Sequence, residues 1–409
     1  MSLLRAIRGE AASWSLWSED PVSTASGSLA YKRNLDETLG RLRALWTRRM
    51  SHGICASMHG WHNPHLDAWT EKWRPPEQGV ERDLPSKEEI FERHDAAMRG
   101  RAEVEDDSLP VAYGCLDWGE SGFAAFLGAR THFYSRGEQG GTYAWAEPLI
   151  DDWAKLPTLR LSEDSPYYAR FLDTLRYLVE RADGLFGINA FLRIDALTHA
   201  MELRGATQAL LDIYEHRREL EEFCAFSRDL NAEVLRQEYE IIPEFRGGRF
   251  TWIGGWLPHP APVPLSVDPY VYCGSQAYRD LGYEYQRQLV ARFGAGFTHV
   301  HDYRLDLLAM ICEMPGMVFA QGVESGGGLG TSAFAHLGEI KRVAGDTPLL
   351  ISCSYGQLLD GMRKHALPGG VLYSVSEVPG IYEANKAMEQ VRSYEAPPVD
   401  EPNAVRAGR

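Results

Sequence analysis

The chain has 409 residues, of which 44% are hydrophobic and 24% charged, which is the composition of a globular protein with a large buried core. Its formal net charge of −15, without long basic runs, would repel a polyphosphate backbone and argues against a nucleic-acid partner. Since no apolar run is long enough to cross a bilayer and the first residues lack a secretory signal, we expect a cytoplasmic protein.

Short apolar runs typical of buried strands recur along the chain, and helical patterns lie between them. In chain order we predict strands at 53–58, 110–116, 184–190, 249–255, 296–301, 316–321, 348–353 and 371–375. Helical periodicity falls at 87–99, 120–129, 165–182, 206–240, 275–293, 303–312, 332–343, 356–366 and 380–392. Alternating strands and helices build parallel sheets, so eight such strands predict an α/β fold, a single (β/α)8 TIM barrel.

The repeat also predicts how the chain is divided. We expect an N-terminal helical arm over 1–50, a catalytic barrel domain over 51–392 and a flexible, Pro-rich tail over 393–409. Long insertions rich in Trp, Pro and Gly follow the first and second predicted strands, at 59–86 and 130–164. In a parallel barrel such insertions lie over the C-terminal ends of the strands, so we expect them to determine substrate specificity.

Three stretches give the chain a likeness to a known family. LDWGESGFAAFLGA (116–129) is similar to the family's second βα unit, and LDLLAMICEMPGM (305–317) is similar to one of its helices and the strand after it. SVDPYVYCGSQAYRDLGYEYQRQLVARFG (266–294) resembles its "D…SP..Y.EF..PY" region. From about residue 31 to 392 the chain resembles the uroporphyrinogen decarboxylase-like superfamily, and is closer to its zinc-dependent methyltransferases than to the decarboxylase itself. That resemblance implies Zn²⁺, a corrinoid as methyl donor or a corrinoid protein as partner, and a homodimer.

The segment GFTHVHD places His299 and His301 at the end of the fifth predicted strand. In the methyltransferase branch the similar position carries His-x-Cys-Gly, whose His and Cys bind zinc, so the resemblance implies that both histidines are metal ligands. Here His301 replaces the Cys, and neutral imidazole also suits Zn²⁺. We expect the strand to end near Val300, so that the turning chain brings the two rings together. The alternative is one core histidine beside an exposed one.

The third metal ligand is less evident from the sequence. The related methyltransferases supply a Cys from the last barrel strand, where this chain has Val375-Ser376-Glu377. Cys353, which ends the seventh predicted strand, is the nearest substitute, and three protein ligands would leave the open position typical of catalytic zinc. A buried free cysteine often serves as a small hydrophobic side chain, so a structural role for Cys353 stays open.

Other candidate residues lie at the predicted strand ends. The candidate catalytic acids are Asp117, Asp268 and Glu324, and Asp268 matches an acidic position of the superfamily. The candidate substrate-binding residues are His59, Trp118, Arg193, Trp256, Tyr272 and Tyr355. Arg193 could anchor a substrate carboxylate or phosphate, or form a salt bridge with Asp195 or another acid. The tryptophans could equally belong to the core.

These features favour a zinc-dependent methyltransferase or demethylase that activates a thiol or similar nucleophile on a small-molecule substrate. One alternative is a decarboxylase-like lyase for a carboxylated or aromatic substrate, with Arg193 as the carboxylate anchor. Residues 59–69 (HGWHNPHLDAW) contain no arginine, whereas the decarboxylase motif at that position carries two, so uroporphyrinogen itself is not expected as the substrate. Another alternative is a corrinoid-binding partner without chemistry of its own.

Overall fold

The computed structural model describes residues 27–112, 122–137, 140–161, 165–301, 304–323 and 333–397. Its strands in chain order are β1 (Ile54–Met58), β2 (Val111–Ala112), β3 (Thr131–Ser135), β4 (Thr142–Ala146), β5 (Gly187–Ile188), β6 (Arg249–Thr251), β7 (Gly255–Leu257), β8 (Pro262–Leu265), β9 (Ala295–His301), β10 (Met317–Val323), β11 (Leu349–Ser354) and β12 (Val371–Ser376).

The helices alternate with these strands over most of the described chain. They are α1 (Leu35–Trp46), α2 (Pro64–Trp73), α3 (Lys87–Arg99), α4 (Gly122–Phe126), α5 (Pro166–Ala182), α6 (Ala196–Arg204), α7 (Ala206–Glu215), α8 (Arg217–Ile241), α9 (Tyr270–Cys273), α10 (Ser275–Tyr278), α11 (Glu284–Phe293), α12 (Leu305–Cys312), α13 (Leu337–Ala344), α14 (Tyr355–Arg363) and α15 (Ile381–Ser393). Short 3₁₀ segments span Trp153–Thr158 and Ala333–His336, and a π-helical turn spans Arg279–Tyr283. No helix among these is long and apolar enough to cross a membrane.

A six-stranded parallel sheet with the order β1–β12–β11–β10–β9–β8 forms the centre of this α/β fold. A second parallel pair, β2–β5, forms a sheet of its own, and the chain next to this pair reaches both edges of the central sheet. On one side the Asp107 amide donates to the Ala56 carbonyl of β1 at 2.8 Å. On the other side the Arg193 amide donates to the Pro264 carbonyl of β8, also at 2.8 Å. The predicted parallel architecture is therefore present in the described residues.

The prediction of a fourth parallel strand over 249–255 is wrong. Those residues form the antiparallel hairpin β6–β7, since Gly254 and Gly255 adopt positive φ values of 74° and 76° and turn the chain back. The parallel strand at this place is β8, which pairs with β9. Pro262 and Pro264 disguise it, because proline lacks the amide that a strand interior normally donates. Their carbonyls still accept hydrogen bonds.

The interior side of the central sheet is apolar at the N-terminal ends of its strands. Its buried side chains there are Cys55, Phe297, Phe319, Leu350 and Leu372. Helix α1 and the β6–β7 hairpin cover them with Leu39, Leu42, Trp46, Trp256 and Leu257. The outward side of the same strands packs on the surrounding helices in a second, larger core. Polar side chains at the C-terminal ends of the strands are consequently the ones left to build a site.

The edge of β1 is stabilised by two buried carboxylates. Asp106 accepts the Met58 amide at 2.8 Å, and Asp107 accepts the Ala56 amide at 3.1 Å. Lys32 lies 3.1 Å from Asp106 with both side chains almost fully buried. Burial alone would raise the pKa of Asp106, but Lys32 and then Arg101 outweigh it and hold that pKa well below its ordinary value. These carboxylates thus take the place of neighbouring-strand carbonyls along β1.

We predict that Asp106→Asn destabilises the fold by about 3 kcal/mol at pH 7, because it leaves Lys32 buried without its counter-charge. Urea unfolding measures this loss. The matched control is Glu103→Gln, which breaks the exposed pair with Arg33 and should cost less than about 0.5 kcal/mol. A depressed folded-state pKa means that the Asp106 contribution is lost as the pH falls below its ordinary value of 3.8, so the difference between wild type and Asp106→Asn should shrink there. Equal stability of the wild type and Asp106→Asn at pH 7 would contradict the role of Asp106 as the counter-charge of Lys32.

Candidate metal centre

Strand β9 presents His299 and His301 on one side of the sheet. It continues to His301, so the expectation that it ends near Val300 is wrong. A turn is unnecessary, because residues two apart on a strand share a face. That face is the interior one, since Phe297, two residues before His299, belongs to the interior apolar core. The two imidazole rings lie 4.9 Å apart between centroids and are nearly perpendicular.

Asp268 joins the two histidines from the chain that follows β8, the neighbouring strand. Its Oδ1 lies 2.9 Å from His299 Nε2 and 3.5 Å from His301 Nε2. One potential ligand atom from each of the three residues lies within 4.8 Å of the other two, which is close enough for one metal ion. The Val271 amide donates to the Asp268 carbonyl at 3.2 Å, where the chain turns into α9. Asp268 therefore lies at the turn between β8 and α9, with its carboxylate beside the two histidines of β9.

Several polar atoms around the centre are buried but make no hydrogen bond to the described residues. They include Asp268 Oδ1, His299 Nδ1 and Gln321 Oε1. Gln321 is the β10 residue in register with His299. Asp268 Oδ1 and His299 Nε2 approach to 2.9 Å, yet Asp268 Oδ1 has no well-formed hydrogen bond to the described residues. Buried polar atoms without partners are costly, and a cation between the carboxylate and the imidazoles would stabilise them.

The charge state and the packing also suit a cation. Burial would raise the pKa of Asp268, but His299 and then His301 lower it below its ordinary value, so the carboxylate is ionised at neutral pH. The indole of Trp252, at the tip of the β6–β7 hairpin, packs edge-on against the His299 ring at 5.4 Å and 88°. His299 is 6% exposed while His301 is 31% exposed. Trp252 consequently packs against the buried side of the centre, and the centre is more exposed on the His301 side.

Cys353 is not one of the three grouped residues, which corrects its prediction as the third ligand. Cys353 lies on the outward side of β11 together with Leu349 and Ile351, which pack in the larger helix-facing core. Leu350 lies on the opposite, interior side. Burial raises the pKa of its thiol to about 12, so the thiol stays protonated. Asp268, predicted as a catalytic acid, takes the third position instead.

Two of the predicted substrate-binding residues are core residues. Arg193 is fully buried and its guanidinium pairs with Glu238 at 2.7 Å, rather than with Asp195. Trp256 is also fully buried in the interior apolar core, and its indole N–H donates to the Phe245 carbonyl at 2.9 Å. Because both side chains are fully buried, the structure gives them packing roles in place of the predicted substrate contacts.

The remaining predicted site residues lie on different elements of the structure or outside the described residues. His59 directly follows β1 and faces Ser57 at 2.5 Å. Tyr272 lies on α9, close in sequence to Asp268, and is 84% exposed. Tyr355 begins α14, and its hydroxyl donates to the Glu383 carbonyl at 3.3 Å. The other predicted residues, Asp117, Trp118 and Glu324, lie outside the described residues.

A second group of possible ligands, Asp212, Glu215 and His216, lies at the end of α7. The Asp212 carboxylate already accepts hydrogen bonds from Arg204, Gln208 and Trp153. Its lone pairs are therefore engaged, which distinguishes it from Asp268.

Comparison with known proteins adds nothing to this geometry. The chain matches no protein-family model and no curated protein.

We predict that Asp268→Asn, His299→Ala and His301→Ala each weaken Zn²⁺ binding by at least about 100-fold, since each removes a direct ligand. Competition with a chromophoric chelator measures the affinity of the purified full-length chain. Cys353→Ala is the matched control and should bind Zn²⁺ as the wild type does. Loss of binding in Cys353→Ala, with Asp268→Asn unaffected, would instead restore the thiol as the ligand.

Proposed function

We propose that this protein is a divalent-metal-dependent enzyme whose cation is held by Asp268, His299 and His301. The observation that supports this most directly is the convergence of three ligand atoms within 4.8 Å, one of them a buried carboxylate oxygen without a hydrogen bond to the described residues. Three protein ligands leave coordination positions for a substrate, which is the arrangement of catalytic rather than structural sites.

We further propose that the strands close into an eight-stranded barrel of the (β/α)8 type. Two hydrogen bonds support this, from the Asp107 amide before β2 to β1 and from the Arg193 amide after β5 to β8, since they lie at the two edges of the six-stranded sheet. The interior apolar core under α1 and the hairpin supports it too. In such barrels the C-terminal ends of the strands carry the active site. His301 is the last residue of β9 and Asp268 follows β8 by three residues, so the candidate centre lies at that end.

Zn²⁺ is the metal we favour, because two imidazoles and one carboxylate form a common catalytic zinc set, although Fe²⁺ and Mn²⁺ also accept it. When bound there, zinc would lower the pKa of a substrate thiol or polarise a substrate oxygen. The residues of the chain have separate tasks. Asp268 supplies the negative charge, Trp252 fixes the His299 ring, and the partly exposed His301 borders the side from which a substrate enters.

Methyl transfer to a thiol is the first reaction class, and its support is the resemblance to zinc-dependent corrinoid methyltransferases. A small thiol would bind at the centre and release its proton to solvent. Its sulfur would then take the methyl group of a methylcorrinoid, free or bound to a corrinoid protein, so that the cobalt–carbon bond breaks, the corrinoid is left as Co(I) and the thiol becomes a thioether. The ligand set differs from that of those enzymes in two respects, since His301 stands at the position of one Cys and the Asp268 carboxylate replaces the Cys of the last strand.

Decarboxylation is the second reaction class, and the ligand set is the observation that favours it. Two imidazoles and a carboxylate donate less charge to a metal than thiolates do, which leaves the metal a stronger Lewis acid for a substrate carbonyl or carboxylate. Arg193 is fully buried and paired with Glu238, so a lyase would need another group to bind the substrate carboxylate.

We predict that zinc-loaded protein converts methylcobalamin and a small thiol into the thioether, and that His301→Ala reduces the rate by at least about 100-fold. The visible spectrum of the corrinoid and mass spectrometry of the thioether follow the reaction. Cys353→Ala should retain the wild-type rate. Carbon dioxide release from a screened carboxylic acid, without any methyl transfer, would favour the lyase instead.

A further inference from the structure

Three serine hydroxyls line the interior side of the sheet above its apolar core. Ser57 of β1 is in register with Ser374 of β12, which is in register with Ser352 of β11. Each lies two residues after an interior apolar residue of its own strand, namely Cys55, Leu372 and Leu350. Strand alternation therefore points all three to the interior that His299 also faces. We refer to Ser57, Ser352 and Ser374 as the hydroxyl row.

The hydroxyl row is available to a ligand. Ser57 is 9% exposed, and Ser352 and Ser374 are partly exposed. Within the described part of the chain, neither the Ser352 nor the Ser374 side chain makes a hydrogen bond, and the Ser57 hydroxyl contacts His59 alone. Neighbouring strands lie about 4.8 Å apart, so two adjacent hydroxyls can each donate to one oxygen of the same carboxylate.

A chain of hydrogen bonds sets the direction of the Ser57 hydroxyl. Arg101 Nη1 lies 3.1 Å from His59 Nδ1, and a guanidinium can only donate, so Nδ1 accepts. The proton of the neutral ring is then on Nε2, which donates to Ser57 Oγ at 2.5 Å. Burial and then the Arg101 charge lower the pKa of His59 to about 4, so the ring is neutral at pH 7. Ser57 accepts from His59 and consequently turns its own proton towards the interior.

Arg101 is held in place for this task. Its Nη2 donates to Asp106 at 2.9 Å and to Ser108 at 2.6 Å. Arg101 shares the Asp106 carboxylate with Lys32, and the neutral His59 ring separates its charge from Ser57, so what it transmits to Ser57 is a direction of hydrogen bonding. The interior consequently offers neutral donors from β1, β11 and β12 on one side. On the other side it offers His299 and His301 of β9 and the Asp268 carboxylate after β8.

We propose that the hydroxyl row binds a carboxylate group of the substrate, with Ser57 fixed as a donor by Arg101 and His59. Neutral donors beside a chain of net charge −15 suit a singly charged carboxylate better than a doubly charged phosphate, which would need an unpaired cation. As a statement about the substrate this rests on the proposed function, since the metal centre would bind the reacting end of the same molecule. It also supplies the carboxylate-binding group that Arg193 does not provide.

The test uses full-length protein freed of metal by a chelator, so that anion binding is measured apart from the metal centre. Saturation-transfer NMR with acetate gives the affinity, acetamide is the neutral probe of the same shape, and inorganic phosphate is added as a competitor. Acetate should bind saturably, acetamide at least about tenfold more weakly, and phosphate should displace acetate poorly. Ser57→Ala and Ser374→Ala should each weaken acetate binding roughly tenfold, the loss expected for a hydrogen bond to a charged acceptor.

The control is Ser393→Ala at the exposed end of α15, whose hydroxyl bonds only its own helix. It should bind acetate as the wild type does. Acetate binding that is absent, or unchanged in both Ser57→Ala and Ser374→Ala, overturns the proposal even if the protein takes up zinc. Tighter binding of phosphate than of acetate overturns the carboxylate assignment. Acetate binding through the hydroxyl row in a protein that takes up no zinc supports this proposal and contradicts the metal centre alone.

Discussion

The alternation of side chains along β9 is the constraint on which the candidate site depends. Because Phe297, His299 and His301 share one face, the same strand contributes first to the apolar floor and then to the polar centre above it. A shift of one residue in the register would move both imidazoles to the helix-facing side. The interior apolar core under α1 and the hairpin makes such a shift costly, because it would also remove Phe297 from that core.

Buried charge is distributed so that the interior keeps one carboxylate for a cation. Asp106 and Asp107 are engaged by the β1 amides, Lys32 and Arg41, while Glu238 neutralises Arg193. Asp268, in contrast, forms no ion pair with a Lys or Arg among the described residues and lies beside the two histidines. The residues that look reactive in the sequence thus divide into those that stabilise the edges of the sheet and those that remain available for chemistry.

The sequence predicted much of this fold because the buried strands are apolar runs and the helices show clear periodicity. Strands β9 to β12 and helices α3, α5 and α15 fall within a residue or two of their predicted positions. It failed where local chemistry hides the structure. The glycines of the β6–β7 hairpin lie in a segment predicted as a parallel strand, and the prolines of β8 conceal the strand that takes that place. Within the predicted insertion 59–86, Pro64 begins α2 with Asn63 as its cap.

The centre was predictable in part for the same reason. His299 and His301 lie at a strand end that the sequence shows, whereas the side of the strand that Cys353 faces depends on where β11 pairs with its neighbours. Asp268 was recognised as an acid, but its approach to β9 follows the turn after β8, which sequence spacing does not reveal. The serines of the hydroxyl row carry a signal that could have been used, since each lies two residues after an interior apolar residue.

The central claim is that one cation is bound by Asp268, His299 and His301. Crystals grown with Zn²⁺ and measured on both sides of the zinc absorption edge test it most directly. The account predicts one anomalous peak, with about 2.0–2.2 Å separating it from the Asp268 carboxylate and from one ring nitrogen of each histidine. A peak bonded to Cys353 Sγ, or no peak near Asp268 at a zinc concentration that saturates the protein, would contradict it.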